Sequence, residues 1–280
     1  MVNEGLVPKT SINGEVGSLD YREKAPLAAT KDMFLDKNKN VIKGKSTETP
    51  LAIGVPGTIA GVFAVHKKYG SLPMSEIMKP VIALAEKGVV VTQKQEKRLH
   101  DYRDLIIKAN GLKTKFATIY KQNDTIKYPE LAETLKRISK NGSDEFYKGK
   151  TAKILVKYLQ KNGAIITLED LAKYEAKWRT PLRFDYKDLN IISMSPPSSG
   201  GICLAEIMKM IAPFDLSKMG HNSSDAIQVI VEGERRAYAD RSFYLGDPDF
   251  VKIPLKALMA DDYLKQRMSN FNFDKATLSS

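Results

Sequence analysis

The chain has 280 residues, enough to bury a sizeable core and suited to one large domain or two modest ones. Its 42% apolar and 28% charged residues exclude a fibre or wholesale disorder, and apolar runs such as Val89–Val91 are far too short to span a bilayer. The net charge of +11 invites a polyanion, but Lys37, Lys39, Lys43 and Lys45 fall in a polar loop. Lys67, Lys68, Lys136, Lys140, Lys157 and Lys161 fall at the ends of helical patterns, where cations complement the helix dipole. Solvated surface is the plainer reading, so neither a nucleic acid nor a membrane is expected as partner.

The N-terminus, Met1–Gly5, shows no basic stretch followed by an apolar one, so it is not expected to be a signal peptide. Residues 1–50 read as a strand around Val16–Tyr21 followed by loop. From Thr58 a helix carries Ile59, Val62, Phe63 and Val65 and ends at Gly70; a second spans about Pro73–Lys87 and ends at Gly88. Thr92-x-x-Gln95 is a capping box opening a third helix, with Leu99, Tyr102 and Ile106 on one face.

Further helices are predicted over about Pro129–Asn141 and Asp144–Lys161, each ended by glycine. Thr167-x-x-Asp170 then caps a short one through Leu171 and Tyr174. Trp178–Pro181 is extended, and Phe184–Met194 reads as two strands turning near Asp188–Asn190. A Pro196–Gly201 loop leads to helices near Cys203–Ile211, Ser223–Ala239 and Leu255–Met268. The polar tail beyond Asn270 is expected to be mobile. So many helices and so few strands argue for an α/β (α+β) architecture whose sheet is incomplete within this chain.

Several motifs fail on inspection. Gly44-Lys45-Ser46 lacks the glycine of a phosphate-binding loop, since Lys39 stands there, and Asp36–Asn40 lacks both the glycine and the final glutamate of a calcium loop. No Cys-x-x-Cys, His-Glu-x-x-His or dinucleotide fingerprint is present, so no metal and no cofactor is expected. His66, His100 and His221 lie far apart, and the lone Cys203 reads as a small buried helix residue rather than a thiol nucleophile.

Two features survive. Pro196–Gly201 could present backbone N–H groups to an anion at a helix N-terminus, or could simply be a rigid connector. Arg22, among Asp20, Glu23 and Lys24, could be a surface ion pair or a binding group.

Read together, six segments change the weight of these features. They are Asp20–Pro26 with Ala29–Asp36, then Gly54–Gly61, Asp144–Gly149, Asn162–Leu171, Ser195–Gly201 and Tyr238–Pro248. In this order they resemble the large subunit of the γ-glutamyltranspeptidases, over about residues 15–275. The resemblance implies an N-terminal-nucleophile hydrolase with an αββα core, of which 1–280 is a single large-subunit region. Within it, 1–50 is the strand and loop segment, 51–270 the mainly helical body and 271–280 the mobile tail.

The resemblance further implies a precursor that cleaves itself, so that the small subunit begins with a threonine nucleophile whose own amine acts as base and no histidine is needed. Substrates would be glutathione and other γ-glutamyl amides, with Arg22 binding the α-carboxylate of the γ-glutamyl group. The small subunit is the implied partner, and a periplasmic or secreted location is implied too. The processing motif does not occur before Ser280 and the family's N-terminal segment has no match in Met1–Asn13. The chain is therefore expected to be a fragment, inactive by itself and without a catalytic residue of its own. Non-catalytic fragments, poly-γ-glutamate enzymes and cephalosporin acylases are the alternatives.

Overall fold

The computed structural model describes residues 16–277. Where a single region was expected, these form two compact units, residues 21–176 and residues 16–20 with 177–277. The chain enters through β1 (Ser18–Asp20), a strand of the second unit.

The first unit is helical. It runs through α1 (Thr58–Tyr69), α2 (Met74–Lys87), β2 (Val89–Val90), α3 (Gln93–Asp101), α4 (Arg103–Asn110), β3 (Thr125–Ile126), α5 (Pro129–Asn141), α6 (Ser143–Tyr147), α7 (Lys150–Lys161) and α8 (Leu168–Ala172). Both predicted capping boxes form: Thr92 starts α3 with Gln95, and Thr167 starts α8 with Asp170. The core gathers Val55, Tyr147, Ala152, Val156, Leu159, Ile166, Leu171 and Tyr174.

Two expected helices of this unit are each broken in two. The Asp144–Lys161 helix divides into α6 and α7 because the buried Glu145 carboxylate turns back. It accepts the Thr151 backbone N–H at 3.0 Å and the Thr151 hydroxyl at 2.9 Å, so it caps α7 across the Lys148–Gly149 bend. The helix from Gln93 breaks at Tyr102, after which Arg103 Nε reaches the Ala117 carbonyl at 2.9 Å. The small β2–β3 ladder, Val89 opposite Ile126, was not anticipated.

In the second unit β1 pairs antiparallel with β4 (Lys177–Arg179), Ser18 facing Arg179 and Asp20 facing Lys177. A hairpin of β5 (Leu182–Tyr186) and β6 (Leu189–Ser193) follows, turning at Lys187 with φ 53°, slightly earlier than expected. Then come α9 (Gly200–Ile211), α10 (Leu216–Met219), α11 (Ser224–Tyr244), α12 (Leu255–Leu258) and α13 (Asp261–Met268). The predicted Leu255–Met268 helix is thus divided at Met259–Ala260. Leu182 and Phe184 of β5 pack with Ile202, Ala205, Met210, Ala237, Leu258 and Leu264.

Ion pairs tie the ends of this unit to its frame. Arg179 donates to Asp20 (Nε 2.9 Å) and to Asp249 (Nη1 3.1 Å), and Lys177 Nζ reaches Asp249 at 2.7 Å. Arg179 first and Lys177 second hold the Asp249 carboxyl down at about 2. On α11, buried Glu232 and Arg236 pair one turn apart, and together they hold residues 270–277. Arg236 Nη2 donates to Asn270 Oδ1 at 2.7 Å and Glu232 Oε1 accepts the Thr277 N–H at 3.0 Å. Phe271 and Phe273 pack edge-on against Phe214. The segment 271–277, expected as part of a mobile tail, is therefore anchored by contacts no local pattern encodes; residues 278–280 lie outside the described residues.

Burial alone would raise the Glu232 carboxyl, but hydrogen bonds from Arg236 and Thr277 outweigh it and bring it down to about 2. A depressed carboxyl contributes stability above the unfolded value of 4.5 and loses it as pH falls towards about 2. Glu232→Gln should cost about 3 kcal/mol at pH 7, because it leaves Arg236 buried without its counter-charge. It should also remove that part of the acid sensitivity between pH 4.5 and 2, which urea unfolding over a pH series measures.

Candidate functional site

Among the described residues, no sheet supports the extended segment that carries Arg22. Lys24 and Val55 form an isolated antiparallel bridge, with N–H to O distances of 3.2 and 2.8 Å, which lays residues 21–24 along residues 54–57. The approach to α1 is close enough to demand glycine twice. A Cβ on Gly57 would fall 2.1 Å from the Tyr21 carbonyl oxygen and 2.0 Å from the Tyr174 hydroxyl. One turn further, a Cβ on Gly61 would fall 2.4 Å from the Tyr21 ring.

Two tyrosines lock this arrangement. The Tyr174 hydroxyl donates to the Arg22 carbonyl at 2.8 Å, and its ring stacks on Tyr147 with centroids 5.5 Å apart and planes 9° apart. The Tyr147 hydroxyl donates to the Pro56 carbonyl at 2.8 Å and accepts the Ala60 N–H at 3.1 Å. It thereby caps α1, whose N-cap Gly57 has no side chain to do so. Burial pushes the Tyr147 phenol up to about 12, so it stays protonated and keeps donating at neutral pH.

A third tie is longer. Asp170 Oδ1 accepts the Leu27 N–H at 2.6 Å while Oδ2 accepts the Thr167 N–H and hydroxyl, each at 2.7 Å. Burial pushes against ionisation of Asp170, but these bonds prevail and its carboxyl is lowered.

Arg22 itself is half-buried, with its main chain fixed on both flanks. A guanidinium on such a mount is a planar fork of donors, suited to bidentate capture of a carboxylate.

The other features fall elsewhere. The Pro196–Gly201 loop belongs to the second unit, where it opens α9. Gly200 N–H meets Ser198 Oγ at 3.3 Å, and Arg241 Nε donates to Ser199 Oγ at 2.9 Å. Cys203 is buried, its thiol pushed up to about 11 by burial and then by the charge of Glu206, so it cannot serve as a neutral-pH nucleophile. His66 Nε2 lies 2.7 Å from the Leu72 carbonyl, His100 lies beside Asp101, and His221 beside Asn222. Among the described residues no group of three metal-ligating side chains comes together. A concavity of about 830 Å³ between α3, α4 and residues 118–121 does not include Arg22 in its wall.

Reading the sequence missed Tyr147, Tyr174, Gly57 and Gly61 as the frame of the site. The spacing of Gly57 and Gly61, four residues apart and so on one face of a helix, was the available signal for a close approach there. Nothing local marks the tyrosines, which act 91 and 152 residues away in sequence.

The γ-glutamyltranspeptidase family profile matches residues 6–280. The chain is 42% identical to a glutathione hydrolase proenzyme of Escherichia coli (strain K12), over 99% of this chain and 48% of that one. It superposes on the crystal structure of Helicobacter pylori γ-glutamyltranspeptidase with a TM-score of 0.92 at 43% identity, covering 96% of this chain and 78% of the other. An acylase ACY 1 proenzyme of Pseudomonas sp. (strain SE83) is similar at 29% identity, over 92% of this chain and 48% of its own length. The chain spans about half the length of the curated relatives it matches.

Gly57→Ala should unfold several degrees lower than the parent chain, because its methyl meets backbone on one side and a fixed phenol on the other, a clash of about 1–3 kcal/mol. Tyr174→Phe should cost about 1 kcal/mol, the worth of one hydrogen bond. Thermal unfolding of both variants should rank them in that order.

Proposed function

This chain belongs to the γ-glutamyltranspeptidase family, with its N-terminal-nucleophile hydrolase fold, and from that premise we propose that it is the large-subunit part of an enzyme that transfers or hydrolyses γ-glutamyl groups. In this reading Arg22 holds the α-carboxylate of the γ-glutamyl group, and the substrates are glutathione and related γ-glutamyl amides. The nucleophile is the N-terminal threonine of a small subunit released from the same precursor, its amine serving as base. The chain alone then binds without turning over, and the protein acts in the periplasm or outside the cell.

The observation that carries the role of Arg22 is the mount beneath it. The Tyr174 hydroxyl, the Lys24–Val55 bridge and the two glycine contacts leave its main chain no freedom to swing. A carboxylate caught on a fixed fork is held at one orientation, which is what places a distant amide before a nucleophile. An isolated surface ion pair would need no such support.

The acylase relative motivates a second reading, in which a different acyl group is cleaved and the α-carboxylate is irrelevant. A γ-glutamyl anilide and its α-methyl ester separate the two, because only the first reading requires the free carboxylate.

Reconstitution with a separately produced chain that begins at threonine should give release of the aniline, while the 280-residue chain alone should give none. In the reconstituted pair, Arg22→Lys should raise KM roughly 10–100-fold with a smaller effect on kcat, since a point charge replaces a bidentate fork. An unchanged KM would remove Arg22 from the binding site, and turnover by the chain alone would remove the need for the partner threonine.

A further inference from the structure

The second unit stores one carboxyl group away from both water and counter-ion. Glu206 lies on the inward face of α9 with no exposed surface, and neither of its carboxyl oxygens has a hydrogen-bond partner. From α11 it is faced by Asp240, 5% exposed, whose Oδ1 lies 3.1 Å from Arg267 Nη2 and whose Oδ2 has no hydrogen-bond partner. From α13 come that Arg267 and Tyr263, whose phenol feels the Asp240 charge.

The remaining ionisable groups around α9 are engaged or turned outward. Arg241 of α11 is bonded to Ser199 Oγ, and Lys209 of α9 is paired with Asp261 of α13 at 2.8 Å. Cys203 on α9 is a neutral thiol. β5 contributes Leu182 and Phe184 to the core while its Arg183 and Asp185 are exposed. α12 contributes Leu258 while its Lys256 is exposed, and β6 has no ionisable residue.

Two carboxyls therefore share the reach of one guanidinium, whose Nη2 is on Asp240 while its buried Nε bonds to neither of them. A second unpaired negative charge in this interior would cost far more than a proton.

We propose that Glu206 folds as a neutral carboxylic acid, and that loss of its proton is an alkaline switch on the packing of α9 against α11 and α13. Ionised, Glu206 repels Asp240 and drives α9 away from α11. The start of α9 and the Pro196–Gly201 loop are tied to α11 through Arg241 and Ser199, so the separation strains that tie. Burial first, and the Asp240 charge second, push the Glu206 carboxyl up to about 8, with Arg267 pulling the other way. The switch thus falls within reach of ordinary pH.

A carboxyl raised on folding contributes stability that is fully present below the unfolded value of 4.5 and is lost as pH rises to about 8. Glu206→Gln cannot ionise and is free of this loss. Between those limits the folding constant of the parent chain, relative to that of the variant, should fall about tenfold per pH unit and level off above about pH 8.

The test unfolds the whole chain in urea from about pH 5 to about pH 9, as parent and as Glu206→Gln, a range that brackets the titration. Asp240→Asn joins them, in which Glu206 inherits Arg267 and the window should shrink towards acid. If the folding constant of the parent, divided by that of the Glu206→Gln variant, does not change with pH, the proposal is overturned. Should Glu206→Gln fail to fold, infrared spectra of the parent decide. A protonated carboxyl C=O band present near neutrality that titrates away near about pH 8 supports the proposal. Absence of that band in the folded chain overturns it.

Discussion

The main chain from Tyr21 to Leu27 has to be held without the ladder of hydrogen bonds that a sheet would provide. Its carbonyl and amide groups are taken up one at a time instead, by the Tyr174 hydroxyl, the Val55 backbone and the Asp170 carboxylate. Each bond is worth only about 1 kcal/mol net, yet each would cost more if one buried partner were missing, so the bonds reinforce one another. The stacked pair of Tyr147 and Tyr174 links this set to α1, since Tyr147 supplies the cap that Gly57 cannot. Removing any one hydroxyl therefore loosens both the helix start and the segment that carries Arg22.

Local signals in the sequence were reliable where the physics is local. Thr92 with Gln95 and Thr167 with Asp170 start helices as their spacing indicates, and Gly70, Gly88, Gly142 and Gly163 stand just beyond helix ends or one residue past them. The β5–β6 hairpin was legible from its alternation, though its turn was placed slightly late. Where side chains act at a distance the reading failed. Glu145 stands second in the predicted Asp144–Lys161 helix, and only its reach to Thr151 reveals that one helix is two. The division into two units was invisible because β1 lies far from the strand it joins, Ser18 pairing with Arg179. Residues alone left Arg22 as either ion pair or binding group; only the run of collinear motifs favoured binding, and the mount of its main chain was not legible at all.

The acids of the second unit show how strictly burial is regulated by what arrives beside it. Glu232 and Glu206 are the same residue type, both on helices and both buried. Glu232 receives Arg236, Arg235 and a backbone N–H, and remains an anion. Glu206 receives none of these. The difference is one of contact: α11 and α13 bring guanidinium groups into hydrogen bonds with Glu232 and Asp240, and none of them reaches a Glu206 oxygen.

The bond from Asp170 to Leu27 has a consequence for the order in which the first unit assembles. The same carboxylate that begins α8 also receives a backbone N–H 143 residues earlier in the chain. One carboxylate thus serves both the start of α8 and the closure of that long loop, and loop closure of this length is slow to be rewarded. During synthesis at about 5–20 residues per second, the Arg22 segment waits on the order of ten seconds for the partner that seats it. Within the first unit, an early segment is seated by a late one.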